Sequence, residues 1–379
     1  MAKVQYVYIK RKDSQSGQTG TVTYDLPTKG YIPEIVVRAY STPTASTDPA
    51  LPLNDAITKI EIVDGGTVIK SLTGNQAHGL EMIHKSKTRV STEVNDNAVE
   101  GYDDFVIVLG KVVNGVSYAP DFSRFANAQI KISWDYSITT GFSGATFDAD
   151  SSPAMKFTVF AKVVREGGRY THGYVKSNQI YTWTSANTAT TQTEVPIGQK
   201  LLGLGIEAGY DDDDWTEDIE TIELNFDNGA WIPLKLYEEE IMKFQEQVFG
   251  SAFEVSFTAD IISGVEIDSH MGWVKNIDIN AVGVVGGSFA KWPISTIGVE
   301  EVSFLDSYGA AIAAYQQAVF HVVGFCPYGL WYLPMSVINN GDNDLIDTNQ
   351  YGRIVLETVS GSSVNTSSTP AVIAEYLVT

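Results

Sequence analysis

The 379-residue chain has one cysteine and no apolar run of about 18 residues, the length that a membrane-spanning helix needs. A single cysteine excludes an intrachain disulfide framework. Cys326 lies in the apolar segment HVVGFCPYGLWYL, which predicts a buried and unreactive thiol. Residues 1–13 are polar and basic, so no signal peptide is expected. Synthesis and folding in a reducing cytoplasm fit this composition.

Basic residues are scarce in the second half of the chain. From Pro196 to the end there are 6 Lys and Arg against 27 Asp and Glu, a net charge of −21. Subtracting these from the totals of 25 and 46 leaves 19 basic and 19 acidic residues in the first half, which is therefore neutral. A protein that binds nucleic acid shows a basic footprint, so direct sequence-specific nucleic-acid binding is not expected. The two halves are expected to face different surroundings.

Signatures of catalysis are also missing. There is no G-x-S-x-G elbow, H-E-x-x-H pair, phosphate-binding loop or cysteine pair. Histidines are few and scattered over both halves, without the spacing of metal ligands: His78, His84, His172, His270 and His321. His321 lies in an apolar run and is interpreted as a core residue. We therefore expect no enzymatic activity and no catalytic, cofactor-binding or metal-binding residues.

Two acidic segments and the tryptophans carry alternatives. Asp211–Asp214 and the acids between Asp342 and Asp347 are interpreted as solvated loops, although flexible carboxylates also suit calcium. Neither segment has the spacing of an EF-hand. Tryptophans can form a sugar-binding platform, but here most lie in strand-like apolar runs, which favours core or interface packing. They are Trp134, Trp183, Trp215, Trp231, Trp273, Trp292 and Trp331.

Short apolar runs separated by turn residues are abundant. The composition leans toward β-branched and aromatic residues, punctuated by 33 Gly and 13 Pro. One helix is predicted near Gln76–His84. Eight short strands before residue 184 predict a β-sandwich or jelly roll. They are Thr21–Leu26, Glu34–Tyr40, Ile57–Val63, Thr67–Leu72, Asp104–Leu109, Gln129–Tyr136, Phe157–Val164 and Gln179–Trp183.

One hairpin pattern occurs twice. In Ile57–Leu72, ITKIEIVDGGTVIKSL, apolar residues at near-strand spacing flank an Asp-Gly-Gly turn. In Ile219–Leu236, IETIELNFDNGAWIPLKL, isoleucines and leucine occupy the same places around an Asp-Asn-Gly turn. A helix pattern follows each hairpin, at Gln76–His84 and at Glu238–Phe249. A duplication of this period predicts the same architecture in both halves.

The offsets between the copies locate an insertion. Position numbers differ by 162 between Ile57 and Ile219, by 224 between Ile130 and Ile354, and by 214 between Val159 and Ile373. The second copy therefore carries 62 extra residues within about 251–320, including strand patterns and the helix-like LDSYGAAIAAYQQAVF. Leu202–Ala208 likewise corresponds to the Glu34–Tyr40 strand. Insertions this large in compact domains are usually functional elaborations.

These patterns predict an all-β chain of two tandem domains, each a β-sandwich or jelly roll, with a few short helices and a large insertion in the second. The predicted parts are an N-terminal arm, 1–18; a first domain, 19–184; a linker, 185–195; and a second domain, 196–379. The linker is predicted from the small, polar, Thr-rich segment SANTATTQTEV. The basic arm is expected to pair with a sheet edge or a neighbour, or to lie on an anionic lipid surface.

The ordered motifs are similar to those of a known family. In the first half they are YDLPTKGYIPEIVVRAY, ITKIEIVDGG and PDFSRFANAQIKISWDY. In the second they are IETIELNFDNGAWIP, DNDLIDTNQYGRIVLETVSG and AVIAEYLV. The chain resembles double jelly-roll major capsid proteins of tailless icosahedral viruses, the lineage that includes adenovirus hexon and membrane-containing phages. The resemblance is one of architecture and covers nearly the whole chain.

This resemblance implies two tandem jelly-roll β-sandwich domains and a structural protein of the virion, synthesised in the cytoplasm of a host cell. Three chains would form a homotrimer with a pseudo-hexameric outline, and these capsomers would build an icosahedral shell. Expected partners are neighbouring capsomers, penton and minor capsid proteins, and an internal lipid membrane reached through the N-terminal arm. The alternative function is a carbohydrate-binding or glycan-cleaving double β-sandwich protein, such as a viral spike or an enzyme.

Overall fold

The computed structural model describes residues 3–17, 19–41, 53–85, 87–94, 100–135, 155–166, 170–208, 215–261, 265–268, 270–282, 299–302, 316–339, 344–364, 366 and 368–379. Strands dominate this part of the chain. The first twelve are β1 (Lys3–Gln15), β2 (Thr19–Asp25), β3 (Tyr31–Ser41), β4 (Lys59–Asp64), β5 (Thr67–Leu72), β6 (Thr88–Val94), β7 (Gly101–Val108), β8 (Lys111–Val113), β9 (Val116–Ala119), β10 (Ala128–Asp135), β11 (Met155–Glu166) and β12 (Thr171–His172).

The remaining strands and the helices complete the set. The strands are β13 (Tyr174–Thr182), β14 (Thr190–Glu194), β15 (Lys200–Glu207), β16 (Thr221–Phe226), β17 (Trp231–Tyr237), β18 (Phe253–Ile261), β19 (Val265–Asp268), β20 (Met271–Val282), β21 (Val299–Val302), β22 (Gln316–Pro327), β23 (Leu330–Pro334), β24 (Ile346–Asp347), β25 (Ile354–Val359) and β26 (Ala371–Val378). The α-helices are α1 (Leu53–Ala56), α2 (Gly74–His84), α3 (Trp215–Asp218), α4 (Glu238–Phe249) and α5 (Met335–Ile338).

Each half of the chain folds into two four-stranded layers. In the first roll the strand orders are β1-β11-β3-β7 and β2-β10-β4-β5. In the second roll they are β13-β26-β15-β23 and β14-β25-β16-β17, with the short β24 beside β15. Each pair of layers encloses a large apolar cluster of its own. This is the eight-stranded jelly roll, present twice, so the predicted all-β fold class is confirmed.

Alternation of apolar and polar residues explains why these segments form half-buried strands. In β10 the buried side chains are those of Ala128, Ile130, Ile132 and Trp134, and the residues between them are partly exposed. A strand turns successive side chains to opposite faces, so every second residue reaches the core. The same period places Ile222, Leu224 and Phe226 of β16 inward.

The repeated hairpin is β4–β5 in the first roll and β16–β17 in the second. Ile60 lies opposite Leu72, and Ile222 lies opposite Leu236. Gly65 turns the first hairpin at a φ of 57°. In the second, three consecutive residues, Asp227, Asn228 and Gly229, have positive φ, which Asp and Asn tolerate better than most residues. A helix follows each hairpin, as the repeat predicted.

The predicted offset of 214 residues between β11 and β26 agrees with the way each strand pairs with its neighbour, β3 in the first roll and β15 in the second. Val159 of β11 lies opposite Val37, and Ile373 of β26 lies opposite Gly205. The position numbers of Val37 and Gly205 differ by 168, as they do in the predicted match of Glu34–Tyr40 with Leu202–Ala208.

The predicted equivalence of Ile130 in the first copy with Ile354 in the second is wrong by two residues. Ile130 lies opposite Ile62, and Leu224, the counterpart of Ile62, lies opposite Leu356. The counterpart of Ile130 is therefore Leu356. A shift of two residues keeps the same face of the strand inward, so the hydrophobic pattern does not distinguish the two registers.

Two predicted boundaries also need correction. The N-terminal arm is not separate, because β1 pairs along its length with β11 and forms the first strand of the first roll. The predicted linker, 185–195, contains β14, which pairs with β25 in the second roll. Threonine favours strands even where polarity and small size suggest a loop. The strand predicted at Gln179–Trp183 overlaps the end of β13, which stops at Thr182 and pairs with β26 of the second roll.

The predicted insertion segment, about 251–320, lies between α4 and β23. Its strands β18, β22 and β20 form an antiparallel layer, and β18 pairs in parallel with β6 of the first roll. One eight-stranded sheet therefore runs from β1 to β20. The end of the predicted helical segment, from Gln316, is the strand β22, and the rest of that segment lies outside the described residues. None of the described helices is long and apolar enough to span a membrane.

Candidate assembly surface: the junction between the jelly rolls

The two rolls are joined by direct strand pairing. The edge strand β5 of the first roll runs parallel to β13, the first strand of the second, with Lys70 opposite Ser177 and Ser71 opposite Asn178. β13 also pairs with β26, so one nine-stranded sheet crosses from roll to roll. Backbone hydrogen bonds therefore set the orientation of one roll against the other.

A buried carboxylate lies at the centre of this junction. Glu375 of β26 is 0% exposed and accepts hydrogen bonds from the hydroxyl of Ser177 and, at 2.7 Å, from that of Tyr332. His84 Nε2 lies 2.5 Å from its Oε2, and Lys70 Nζ lies 3.9 Å from its Oε1. Lys70 Nζ also donates to Ser177 Oγ at 2.7 Å. We call this set, together with Lys111, the Glu375 cluster.

The charges of the Glu375 cluster come from both rolls. Burial lowers the pKa of His84, so its ring is neutral at pH 7 and accepts from Lys111 Nζ at Nδ1, 3.2 Å away. Burial also lowers the pKa of Lys70, to about 8. Burial alone would raise the pKa of Glu375, but His84, Lys70 and Lys111 hold it well below its usual value. A carboxylate of the second roll is thus stabilised by two ammonium groups of the first.

The start of α2 makes a second polar link between the rolls. Thr73 and Gln76 form a capping box, which orients the Gln76 side chain. Gln76 Nε2 donates to Gln179 Oε1 at 2.8 Å and to Glu207 Oε2 at 2.6 Å, and both acceptors belong to the second roll. Burial raises the pKa of Glu207 to about 7. The helix that follows the first hairpin therefore also contacts the neighbouring roll.

The next turn of α2 binds the base of the insertion. The His78 ring stacks on Phe105 at 4.4 Å, lies 4.8 Å from the Tyr328 ring, and its Nε2 lies 2.7 Å from Asp103 Oδ2. Burial, with the nearby Arg89 charge, lowers the pKa of His78 to about 4. The ring is therefore neutral at pH 7. Arg89 also pairs with Asp103, so the buried carboxylate has a charged partner.

The architecture of the two joined rolls is similar to that of solved structures, although the sequence matches no known family. No protein-family model matches the sequence, and no curated protein matches it. Among solved structures, the STIV MCP superposes with a TM-score of 0.57 at 10% identity, covering 99% of this chain and 96% of that one. The major capsid protein of bacteriophage PM2 gives a TM-score of 0.50 at 12% identity, covering 99% and 97%. The capsid of PBCV-1 gives 0.55 at 8%, covering 100% and 94%.

The chain has the double jelly-roll fold of major capsid proteins. The architectural resemblance inferred from the ordered motifs is confirmed. Identities from 8% to 12% establish the fold, and the similarity extends over the whole chain rather than one roll. The structural unit of this chain is therefore the pair of side-by-side rolls joined through β5 and β13.

In this double jelly-roll, the histidines have structural contacts. His78 and His84 lie on α2, where each neutral ring contacts a buried carboxylate, and His321 Nδ1 lies 2.7 Å from Ser256 Oγ. In the described part of the chain, no group of three or more His, Cys, Asp or Glu side chains is arranged to hold a metal ion. Sequence reasoning missed the roles of the α2 histidines. The signal that could have indicated these roles is the number of polar residues, including Gln76, on the buried helix α2.

The acidic segments divide between described and undescribed residues. Asp211–Asp214 and Asp342 lie outside the described residues. Asp344 links the two rolls: its Oδ2 accepts from the Asn114 amide at 2.6 Å, and its own amide donates to Asn114 Oδ1 at 3.0 Å. Asp347 accepts from the Asn349 amide and begins a short 3₁₀ turn.

The cysteine and most tryptophans contribute to packing. Cys326 is buried, as predicted, with its Sγ 3.6 Å from Met242 Sδ. Trp134, Trp215 and Trp331 are buried in the two main apolar clusters. Three more, Trp183, Trp231 and Trp273, are partly buried against the core of the second roll. Trp292 lies outside the described residues.

Proposed function

We propose that this protein is a viral major capsid protein with a structural rather than a catalytic role. The observation that carries the proposal is the pair of jelly rolls held side by side by the β5–β13 pairing and the Glu375 cluster. Three copies of such a two-wedge unit present six similar wedges around a threefold axis. The protein would therefore trimerise into pseudo-hexameric capsomers, which build an icosahedral shell.

A rigid junction supports this role, because a shell subunit must keep its two wedges at a fixed angle. Lys70, His84 and Lys111 of the first roll converge on Glu375 of the second. Removing one member would leave buried charge uncompensated, which would destabilise the junction. We propose that the boundary between the two wedges lies near Gly173, between β12 and β13.

The partners proposed are further copies of this chain, with penton and minor capsid proteins at other positions of the shell, and the location is the virion. Proteins with the same fold come from the Sulfolobus turreted icosahedral virus and from the PBCV-1 virus capsid. Contact with a lipid membrane through a free N-terminal arm is not part of this proposal, because β1 is held in the sheet by β11.

Sedimentation equilibrium of the purified chain, together with a glycan array, tests the proposal. We expect a species of three chains, higher assemblies at raised concentration, and no glycan binding. A monomer that stays monomeric at all concentrations and binds a defined glycan would contradict the capsid role.

A further inference from the structure

Two of the strands that end a sheet in the described part of the chain, β1 and β17, have an open edge. Among the described residues, β1 pairs on one side only, with β11, and β17 pairs on one side only, with β16. Both edges carry large exposed apolar side chains. On β1 these are Val4, Tyr6 and Tyr8, the last 65% exposed, and on β17 they are Ile232 and Tyr237. Open edges with exposed apolar residues favour pairing with another strand.

The chain already contains the template for such a pairing. β17 occupies in the second roll the place of β5 in the first, because Leu224 lies opposite Leu234 as Ile62 lies opposite Lys70. β1 likewise occupies in the first roll the place of β13 in the second. Within one chain, β5 and β13 are the two strands that join the rolls.

The residue of β1 that is equivalent to each residue of β13 follows from the neighbouring strands, β11 beside β1 and β26 beside β13. Ser177 lies opposite Glu375, and Val7 lies opposite Ala161. The position numbers of Glu375 and Ala161 differ by 214, the offset that relates β26 to β11. Val7 is therefore the counterpart of Ser177, and Tyr8 is the counterpart of Asn178.

We propose that β17 of one copy pairs in parallel with β1 of a second copy, repeating between chains the β5–β13 pairing within a chain. Leu234 then lies opposite Val7, and Lys235 lies opposite Tyr8. This inference rests on the proposed trimer and names the surface that forms it. The contact is head-to-tail, so each copy offers one β1 and one β17, and the ring closes at three.

The chemistry of the open edges suits a contact between chains. Lys70, Ser177 and Glu375, which need each other when buried, have as counterparts Leu234, Val7 and Ala161. Apolar side chains can be exposed in the free chain and buried on association without leaving an unpaired charge. Because Pro233 donates no hydrogen bond, the pairing is expected to begin at Leu234.

Charge complementarity supports the same pairing. Gln76 and Glu240 are equivalent, since each is the third residue of its helix and accepts a hydrogen bond from the residue before that helix. Gln179 lies opposite Ile373, and Lys10 lies opposite Val159, the counterpart of Ile373. Lys10 is therefore the counterpart of Gln179. The Gln76–Gln179 hydrogen bond within the chain thus predicts a Glu240–Lys10 ion pair between chains.

The surroundings of that ion pair have matching signs. β1 carries Lys3, Lys10, Arg11 and Lys12 against the single acid Asp13, while the first turn of α4 consists of Glu238, Glu239 and Glu240. Opposite charges on two surfaces favour this pairing over contact between two acidic second rolls.

Disulfide trapping tests the pairing directly. Neighbouring strands lie about 4.8 Å apart, within the Cα separation that a disulfide accepts, so a Tyr8→Cys/Lys235→Cys double variant is expected to form covalent species of two and three chains on mild oxidation. Tyr6→Cys/Lys235→Cys is the matched control, because a shift of two residues adds about 6.6 Å along the strand. The native Cys326 is buried, which limits background cross-linking.

Three outcomes separate the pairing from the proposed function. Cross-linking in the 8/235 variant and not in the 6/235 control supports the pairing. A trimer without preferential 8/235 cross-linking overturns the pairing and leaves the capsid proposal standing. A chain that stays monomeric contradicts both.

A charge test gives a second route if the cysteine variants fold poorly. Lys10→Gln and Glu240→Gln are each expected to raise the dissociation constant of the trimer about tenfold at low salt, with no further loss when combined. The control is Glu239→Gln, whose carboxylate pairs with Lys243 on the exposed face of α4. Equal effects of all three substitutions, or strict additivity of the first two, would overturn the Glu240–Lys10 contact.

Discussion

The junction between the rolls and the two open edges use equivalent strands with opposite chemistry. Where β5 meets β13, the chain buries Lys70, Ser177 and Glu375. At the matching places of β17, β1 and β11 it has Leu234, Val7 and Ala161. The rolls of one chain always meet, so a buried ionic cluster can specify their register despite its desolvation cost. An open edge is exposed to water until a second chain binds, which favours residues that leave no unpaired charge when they are buried.

Breaking the ionic junction is expected to have the largest effect. Glu375→Ala removes the carboxylate that compensates Lys70 and accepts from Ser177 and Tyr332. We expect the free energy of unfolding to fall by about 4 kcal/mol, because a buried ammonium loses its partner. Urea denaturation at pH 7 measures this loss.

The control for Glu375→Ala is Glu246→Ala. The Glu246 carboxylate forms an ion pair with Lys275 in which both side chains are more than half exposed. Such pairs contribute less than about 1 kcal/mol. Similar losses in the two variants would mean that the Glu375 cluster does not stabilise the junction.

Making the junction resemble the open edges sharpens the comparison. The triple variant Lys70→Leu, Ser177→Val and Glu375→Ala carries the residues of the equivalent edge positions. We expect it to recover about 2 kcal/mol of the stability that Glu375→Ala loses, since the Lys70 ammonium leaves together with the carboxylate. Urea denaturation of the two variants side by side decides this, and a triple variant less stable than the single one would contradict the account.

The second polar link predicts a pH dependence. Burial raises the pKa of Glu207 from 4.5 to about 7, so the folded chain keeps a proton that the unfolded chain releases between these values. Stability is therefore lost as the pH rises through this window. Glu207→Gln is expected to gain about 2 kcal/mol relative to the unmodified chain between pH 4.5 and 8, a value reduced because the side chain keeps some solvent contact. A difference independent of pH would contradict the assignment.

The exposed Asp344–Asn114 link between the rolls is expected to matter least. Asp344→Ala removes one of its two reciprocal hydrogen bonds. Since these hydrogen bonds lie at the exposed surface, the loss is expected to be about 1 kcal/mol by urea denaturation. A loss as large as that of Glu375→Ala would reverse the ranking of buried and exposed contacts across the junction.

The sequence alone predicts most of the fold, because the fold depends on period-two patterns and on a duplication. The twin hairpin patterns predicted β4, β5, β16 and β17. The errors lie where the pattern carries little information. A two-residue shift in β25 leaves the same face inward, and the Thr-rich β14 has few apolar residues to mark it as a strand.

The junction could be predicted much less well than the fold. Nothing in the local sequence around Glu375 says that it meets Lys70, which lies near the other end of the chain, or that His84 points at it from α2. The contact arises only when β5 and β13 pair. Histidines and glutamines on a helix that faces the core were the available signal, and they point to burial without identifying the partners.

The central claim is that the two rolls of one chain are two of six wedges in a threefold capsomer. Electron cryomicroscopy of the purified assembly tests it most directly. Particles of three chains with a pseudo-hexagonal outline are expected, in which β17 of each copy continues into β1 of the next. Isolated two-lobed monomers would contradict the six-wedge arrangement, whereas a trimer in which both strands remain at open edges would overturn the β17–β1 pairing alone.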